Sequence, residues 1–224
     1  LERRALFDVT AFYIDWTDIQ VIAARGGLTF LTNAGKAASQ GVELSTAFKL
    51  TERLRLGLNG AYTDATLSKD LPLIPSTSPL SGECKGNPPA PVGSFRGGCK
   101  DDRLPFTPEL SWSATAEYSF PLGSDWNGQV GGGFRWVDER ESGLTNTNPL
   151  VFPAPTLDSY NALDLNAALS NDHWTLRAYG KNVTDERAYL TIGAAQSQVT
   201  GMTGRLIAAS VLPRTWGIGV DYRF

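Results

Sequence analysis

A chain of 224 residues that is 42% hydrophobic, with a mean hydropathy of -0.18, is long enough for one large domain or two small ones. No stretch approaches the roughly 18 uninterrupted apolar residues of a membrane-spanning helix, and a formal net charge of -3 gives no electrostatic case for nucleic acid as a partner. Neither figure excludes a transmembrane β-barrel, whose signal lies in alternation and not in the mean.

Read for period two, the chain yields eight segments of roughly ten residues, about the length of a tilted transmembrane strand. In the first, Ala5, Phe7, Val9, Ala11 and Tyr13 alternate with Asp8 and Thr10, although Phe12 and Ile14 blur the pattern. In the second, Val42, Leu44, Phe48 and Leu50 alternate with Glu43, Ser45 and Lys49; in the third, Leu54, Leu56, Leu58 and Tyr62 alternate with Arg53, Arg55, Asn59 and Thr63. The fourth, "LSWSATAEYSF", is without exceptions: Leu110, Trp112, Ala114, Ala116, Tyr118 and Phe120 against Ser111, Ser113, Thr115, Glu117 and Ser119. The fifth sets Val130, Gly132, Phe134 and Trp136 against Gln129 and Arg135, and the sixth sets Leu163, Leu165, Ala167 and Leu169 against Asp164, Asn166 and Ala168. The seventh opposes Trp174, Leu176 and Ala178 to Thr175, Arg177 and Lys181. The last, "TWGIGVDYRF", opposes Trp216, Ile218, Val220, Tyr222 and Phe224 to Thr215, Gly217, Gly219, Asp221 and Arg223.

The connections alternate in length. Tight turns follow the second segment (around Thr51 and Glu52), the fourth ("PLGSDWNG") and the sixth ("SNDH"). The intervening ones run long, about Ser68 to Arg103, Glu139 to Ser159, and Asp185 to roughly Gly204, with a shorter turn at Gly26 and Gly27 first. Short turns on one side and long loops on the other are the asymmetry of an outer-membrane barrel, and aromatics such as Tyr62, Tyr118, Phe120, Trp136 and Trp174 fall near strand ends, where an interfacial girdle belongs. The pattern predicts an all-β fold, an antiparallel up-and-down transmembrane β-barrel, over a soluble sandwich or lipocalin-like barrel. Its short turns and Phe224 then lie in the periplasm, and its long loops lie outside the cell.

Chemistry-bearing residues are sparse. Cys84 and Cys99, in one Gly- and Pro-rich stretch, read as a loop disulfide of an oxidising compartment; two free thiols are the alternative. The sole histidine, His173, falls in a short turn and has no second histidine, so neither a catalytic triad nor a metal site is expected, and the chain reads as no enzyme. "VGGGF" at Gly131 to Gly133 lies inside an alternating strand, so close packing is preferred to a phosphate loop. Asp70, Glu83, Asp101 and Asp102 lack calcium-loop spacing and read as a solvated acidic loop. "NVT" at Asn182 to Thr184 fits the glycosylation pattern, but a strand-to-loop transition is the preferred reading. The alternation places the charges of Arg53, Arg55, Glu117, Arg135, Asp164, Arg177, Asp221 and Arg223 toward a lumen, where they pair with one another, contact a plug or guide a substrate. Candidate substrate contacts lie on the long loops: Arg140, Glu141, Phe152 and Tyr160.

Four stretches in order carry a resemblance. "AFYIDWTDIQV" with "LTNAGKAASQGVELSTAFKLTERLRLGLNGAYTDATL", then "RLPFTPELSWSATAEYSF", "YGKNVTDERAY" and "LPRTWGIGVDYRF" together resemble the C-terminal barrel portion of TonB-dependent outer-membrane receptors. The resemblance implies a barrel of about 22 strands with a plugged lumen, of which residues 1-224 supply the last eight strands. No plug domain, TonB-contacting box or signal peptide is found in the sequence, and the start at Leu1 reads as a fragment or a processed product. It further implies a bacterial outer-membrane location, uptake of a scarce nutrient such as an iron-siderophore complex, and no cofactor. The implied partners are lipid, the protein's own plug, TonB acting through that plug, a siderophore-like ligand, and the barrel assembly machinery reading Phe224. "NTNPL" at Asn146 to Leu150 faintly matches a motif of haem-uptake members, but no loop offers a histidine for iron. A self-contained eight-stranded anchoring barrel is the first alternative, and an outer-membrane enzyme the second.

Overall fold

The computed structural model describes residues 4–25, 28–33, 35–75, 84, 94–144, 155–196 and 203–224. They hold strands and no helix. The wall strands are β1 (Ala5–Thr17), β4 (Lys36–Lys49), β5 (Leu54–Leu67), β8 (Leu110–Leu122), β9 (Trp126–Val137), β12 (Tyr160–Ser170), β13 (Trp174–Lys181) and β16 (Thr215–Tyr222). They form one antiparallel sheet in the order β1-β4-β5-β8-β9-β12-β13-β16, so every strand neighbours the one before it along the wall. All eight alternating segments of the sequence are wall strands.

Eight shorter strands form separate two-stranded ladders: β2 (Gln20–Arg25) with β3 (Leu28–Asn33), β6 (Leu73–Pro75) with β7 (Ser94–Arg96), β10 (Arg140–Glu141) with β11 (Thr156–Leu157), and β14 (Tyr189–Gln196) with β15 (Thr203–Ser210). Each sits in one of the four long connections, so every long connection leaves the wall and returns to it. Two expected boundaries change accordingly. Gly26 and Gly27, taken as the first connection, lie outside the described residues between β2 and β3, and the last connection runs beyond Gly204 to Arg214.

Register follows the side-chain alternation. Asp8 faces Ser45, Ser45 faces Asn59, Asn59 faces Ser113 and Ser113 faces Arg135, giving one continuous polar row across five strands. One residue along, the opposite face presents Val9, Leu44, Leu58 and Ala114, continued by Leu165, Leu176 and Val220 farther along the sheet. This apolar face is bare: Ile218 is 86% exposed, and Phe7, Val42, Tyr118, Trp174 and Trp216 are exposed with it. A water-soluble sheet would cover such a face. Instead the buried apolar cluster lies at the long-loop end, where Ile19, Ala37, Leu67 and Leu71 pack with Leu104 and Leu144.

The short-turn end is closed by local chemistry. Thr51 Oγ1 accepts the amides of Arg53 and Leu54 at 3.1 and 3.0 Å, and Asn171 Oδ1 accepts those of His173 and Trp174 at 3.0 and 2.7 Å. The turn after β8 passes through Gly123 at φ 72°, a backbone conformation in which glycine carries no side-chain penalty.

Candidate functional site

Two regions concentrate polar chemistry: the grooved polar face of the wall and the packed long-loop end. On the wall, a groove of about 530 Å³ runs along the polar row, with Asp8 and Glu43 toward one side, Arg135 toward the other, and Ser45, Asn59 and Ser113 between them. Ser45 donates to Asn59 Oδ1 at 2.8 Å, so the floor is partly self-satisfied. A second groove, of about 420 Å³, is lined by Arg55 and Glu117 beside Gly57, Gly131 and Gly133. Arg55 and Glu117 are register partners and pair at 3.8 Å. Asn166 packs over Gly131, and Leu165 lies on the other face of the sheet against Gly132, so this glycine run is a packing feature and opens no helix.

The expected lumen charges divide into two groups, six on the wall strands and two beside them. Arg55, Glu117, Arg135, Asp164, Arg177 and Asp221 share the polar face by register, and Arg177 forms an ion pair with Asp221 across β13 and β16. Asp164 is committed elsewhere, since its Oδ1 accepts the Asn182 amide at 2.8 Å. Arg53 and Arg223 fall just outside the strands. Arg53 lies in the turn before β5, its carbonyl accepting the Ser119 amide at 2.9 Å, and the Arg223 amide donates to the His173 carbonyl at 2.8 Å. His173 Nδ1 also lies 3.3 Å from the Arg223 carbonyl oxygen, which ties this histidine to the chain end. Phe224 is fully exposed with its ring edge against Tyr222 at 5.1 Å.

At the long-loop end, Cys84 and Cys99 form a disulfide with Cα atoms 5.4 Å apart. Asp102 Oδ2 accepts the Cys99 amide and Asp70 Oδ1 accepts the Lys100 amide, both at 2.8 Å. These carboxylates therefore cap the turn that follows the bridge. The ligand atoms of Asp70, Cys84 and Cys99 lie within 4.8 Å of one another, but with both sulfurs in the disulfide no thiolate remains for a metal. Glu83, Phe152 and the stretch Asn146 to Leu150 lie outside the described residues.

The substrate-contact candidates are not equivalent. Arg140 is only 5% exposed, so it is no freely displayed contact: Nη2 donates to the carbonyls of Tyr189 and Leu190 at 3.2 and 3.4 Å, and the guanidinium stands 5.5 Å from the Tyr160 ring centroid. Glu141 accepts the Thr156 hydroxyl at 3.4 Å, and its carbonyl accepts the Phe106 amide at 2.7 Å.

Sequence reading missed how Asn182 is used. It is 3% exposed at φ 48°; Nδ2 donates to the carbonyls of Glu186 at 3.0 Å and Leu212 at 2.9 Å, while Oδ1 accepts the Glu186 amide at 2.9 Å. With both its N–H donors engaged and the residue buried, Asn182 is a poor glycan acceptor. Asp185 sits beside it, accepting the Arg187 guanidinium at 2.9 Å and the Arg214 amide at 3.1 Å. The Arg187 hydrogen bond, seconded by the Arg214 amide, holds the Asp185 carboxyl below its usual range. Together these contacts latch the end of β13 to the start of β16.

The family model for the TonB-dependent receptor-like β-barrel matches residues 1–183. The chain belongs to this family. No curated protein matches its sequence. Among solved structures, the ferric yersiniabactin uptake receptor FyuA from Yersinia pestis is similar over 100% of this chain and 28% of its own, at 18% identity and a TM-score of 0.69. The siderophore receptor PiuA from Acinetobacter baumannii is similar over 99% of this chain and 26% of its own, at 16% identity and a TM-score of 0.65. The copper transporter OprC is similar over 99% and 29%, at 17% identity and a TM-score of 0.62. At such identities the likeness is one of fold, and the chain spans less than a third of the length of each. The apolar face of the sheet thus corresponds to the outside of a receptor barrel, and the polar face to its lumen.

Proposed function

We propose that this chain is the C-terminal wall of an outer-membrane receptor that takes up a scarce nutrient, an iron-siderophore complex, under power from TonB. The observation that carries the reading is the open eight-stranded sheet, apolar and bare on one face and polar and grooved on the other, with β1 and β16 at its two edges. In lipid an unpaired strand edge exposes backbone N–H and C=O groups at high cost, so β1 and β16 pair with further strands of a larger barrel. The lumen between them receives a plug, on which TonB acts. Lipid covers the apolar face, Phe224 serves the assembly machinery, and the long loops with Glu141, Phe152 and Tyr160 meet the ligand. No covalent chemistry is assigned to any residue.

The self-contained anchoring barrel requires β1 to pair with β16, and among the described residues they stand at opposite ends of the strand order. The test is uptake of radiolabelled iron supplied as different siderophores, and of copper, by cells with the gene intact or deleted and TonB present or absent. Loss of uptake of one ferric siderophore on deleting either gene supports the reading. Unchanged uptake with a weakened envelope would favour the anchoring barrel, and loss of copper uptake alone would replace the substrate.

A further inference from the structure

We infer that Arg140 is a seat for an anionic oxygen-bearing group of the carboxylate class, carried by the incoming ligand and received between the β10–β11 ladder and β14. This deepens the receptor reading and rests on it. Arg140 is the residue at which the long-loop end is chemically incomplete. Its side chain is buried, and among the described residues its Nη1 has no hydrogen-bond partner, while Nη2 is held by two backbone carbonyls. Nη1 carries two N–H donors that burial has taken from water, and leaving them unmade is unfavourable.

The charge is equally unanswered. Among the described residues Arg140 is in no ion pair: Asp138 Oδ1 accepts the Glu139 amide at 2.9 Å, Glu141 Oε2 accepts the Thr156 hydroxyl at 3.4 Å, and Glu139 is exposed to solvent without a salt bridge to Arg140. The Tyr160 ring at 5.5 Å offers its π-face to the cation but no oxygen acceptor to Nη1. A buried guanidinium with one donor group free and no counterion matches an anion, and a carboxylate brings two acceptor oxygens within reach of the two N–H groups of Nη1.

Access follows from the fold. The ladder that carries Arg140 has two residue pairs, Arg140 with Leu157 and Glu141 with Thr156, and the longer of its carbonyl contacts is 3.4 Å, near the limit of a hydrogen bond. So long a contact yields at small cost, and an anion that enters meets Nη1 while Nη2 keeps the 3.2 Å contact to the Tyr189 carbonyl. Ligand charge would thereby tie the β9–β12 connection to the β13–β16 connection.

The test uses the receptor extracted from outer membranes in detergent, with benzoate as the anionic probe and benzamide as its neutral match. Hydrogen exchange is followed in residues 138–144 and 187–192 of wild type, Arg140→Gln and Arg140→Lys. The inference expects benzoate, and not benzamide, to slow exchange in both segments, with apparent affinity weakened about tenfold or more in Arg140→Gln and less in Arg140→Lys. Equal responses to the two probes in wild type, or a wild-type response in Arg140→Gln, would overturn it. Should Arg140→Gln fail to fold, the wild-type comparison and Arg140→Lys still decide. A negative result beside retained TonB-dependent uptake removes this inference alone, whereas loss of the uptake phenotype removes the receptor reading.

Discussion

The ring of Trp216 fills the space above Gly180, its partner in the β13–β16 register, so that a side chain at 180 would overlap the indole carbons. The same exchange recurs where Phe120 covers Gly128 across β8 and β9, and on the polar face where Tyr179 covers Gly217. A large ring shields the bare backbone of the glycine, and the glycine makes room for the ring. Gly180→Ala is therefore expected to destabilise the wall by about 1–3 kcal/mol, as other overpacked sites do. Gly219→Ala, whose new methyl would meet only Arg177 Nε at 3.9 Å, should stay within about 0.5 kcal/mol. Urea midpoints followed by tryptophan fluorescence compare the two, and equal costs would refute the pairing argument.

Asn182 concentrates three side-chain hydrogen bonds in a buried left-handed position, so its loss is expected to be felt beyond its own turn. Asn182→Ala should cost about 2–4 kcal/mol, since it leaves the Leu212 carbonyl and the Glu186 amide and carbonyl without these partners. Asn182→Asp keeps the acceptor for Glu186 but replaces both donors, so it should recover only part of that loss. Amide exchange at Glu186, together with the unfolding midpoint, would read this; a midpoint within about 0.5 kcal/mol of wild type would refute the latch.

The wall was legible in the sequence because period two is a local signal. Leu110 to Phe120 alternates without exception, and β8 holds all of it. The loops were not, because their partners are remote and their ladders short. The Asn182 contact to Leu212 spans 30 residues, and the Arg140 contact to Leu190 spans 50, with no periodicity to announce either. Phe12 and Ile14, which blurred the first strand, fall by register on the polar face with Trp16, where alternation leads one to expect polar residues. The burial of Arg140 is not legible in its own stretch, because it depends on contacts to Tyr189 and Leu190 in β14, a strand without clear alternation inside the last long connection.

Acid should open the latch from the Asp185 side. Its carboxyl pKa is lowered from the ordinary value of 3.8, first by the Arg187 hydrogen bond and then by the Arg214 amide. A depressed folded-state pKa contributes stability that is fully present above the unfolded value and is lost as the pH falls through the lowered folded one. Exchange at the Arg214 amide, corrected for intrinsic rates, should therefore be steady from neutral pH down to about 4 and rise below it. Asp185→Asn should show the faster exchange already at neutral pH and lose the acid dependence. A pH-independent wild type would sink this account.

Reducing or removing the Cys84 to Cys99 bridge should loosen one region and spare the wall. The bridge joins residues 15 apart, outside the eight-stranded sheet, and a loop of that size is stabilised by about 3 kcal/mol. Its neighbours are the Leu71 amide on the Gly98 carbonyl at 3.0 Å and the Asp101 amide on the Leu67 carbonyl at 2.8 Å. Because local opening and global unfolding are separate events, a Cys84→Ser, Cys99→Ser variant should lose roughly two orders of magnitude of exchange protection at Leu71 and Asp101. Protection in β8 and β9, which contain neither cysteine, should be unchanged, as should the temperature at which the barrel loses its compact gel mobility. A fall in that temperature would instead mean that the long-loop cluster of Leu67, Leu71 and Leu104 helps to hold the wall itself.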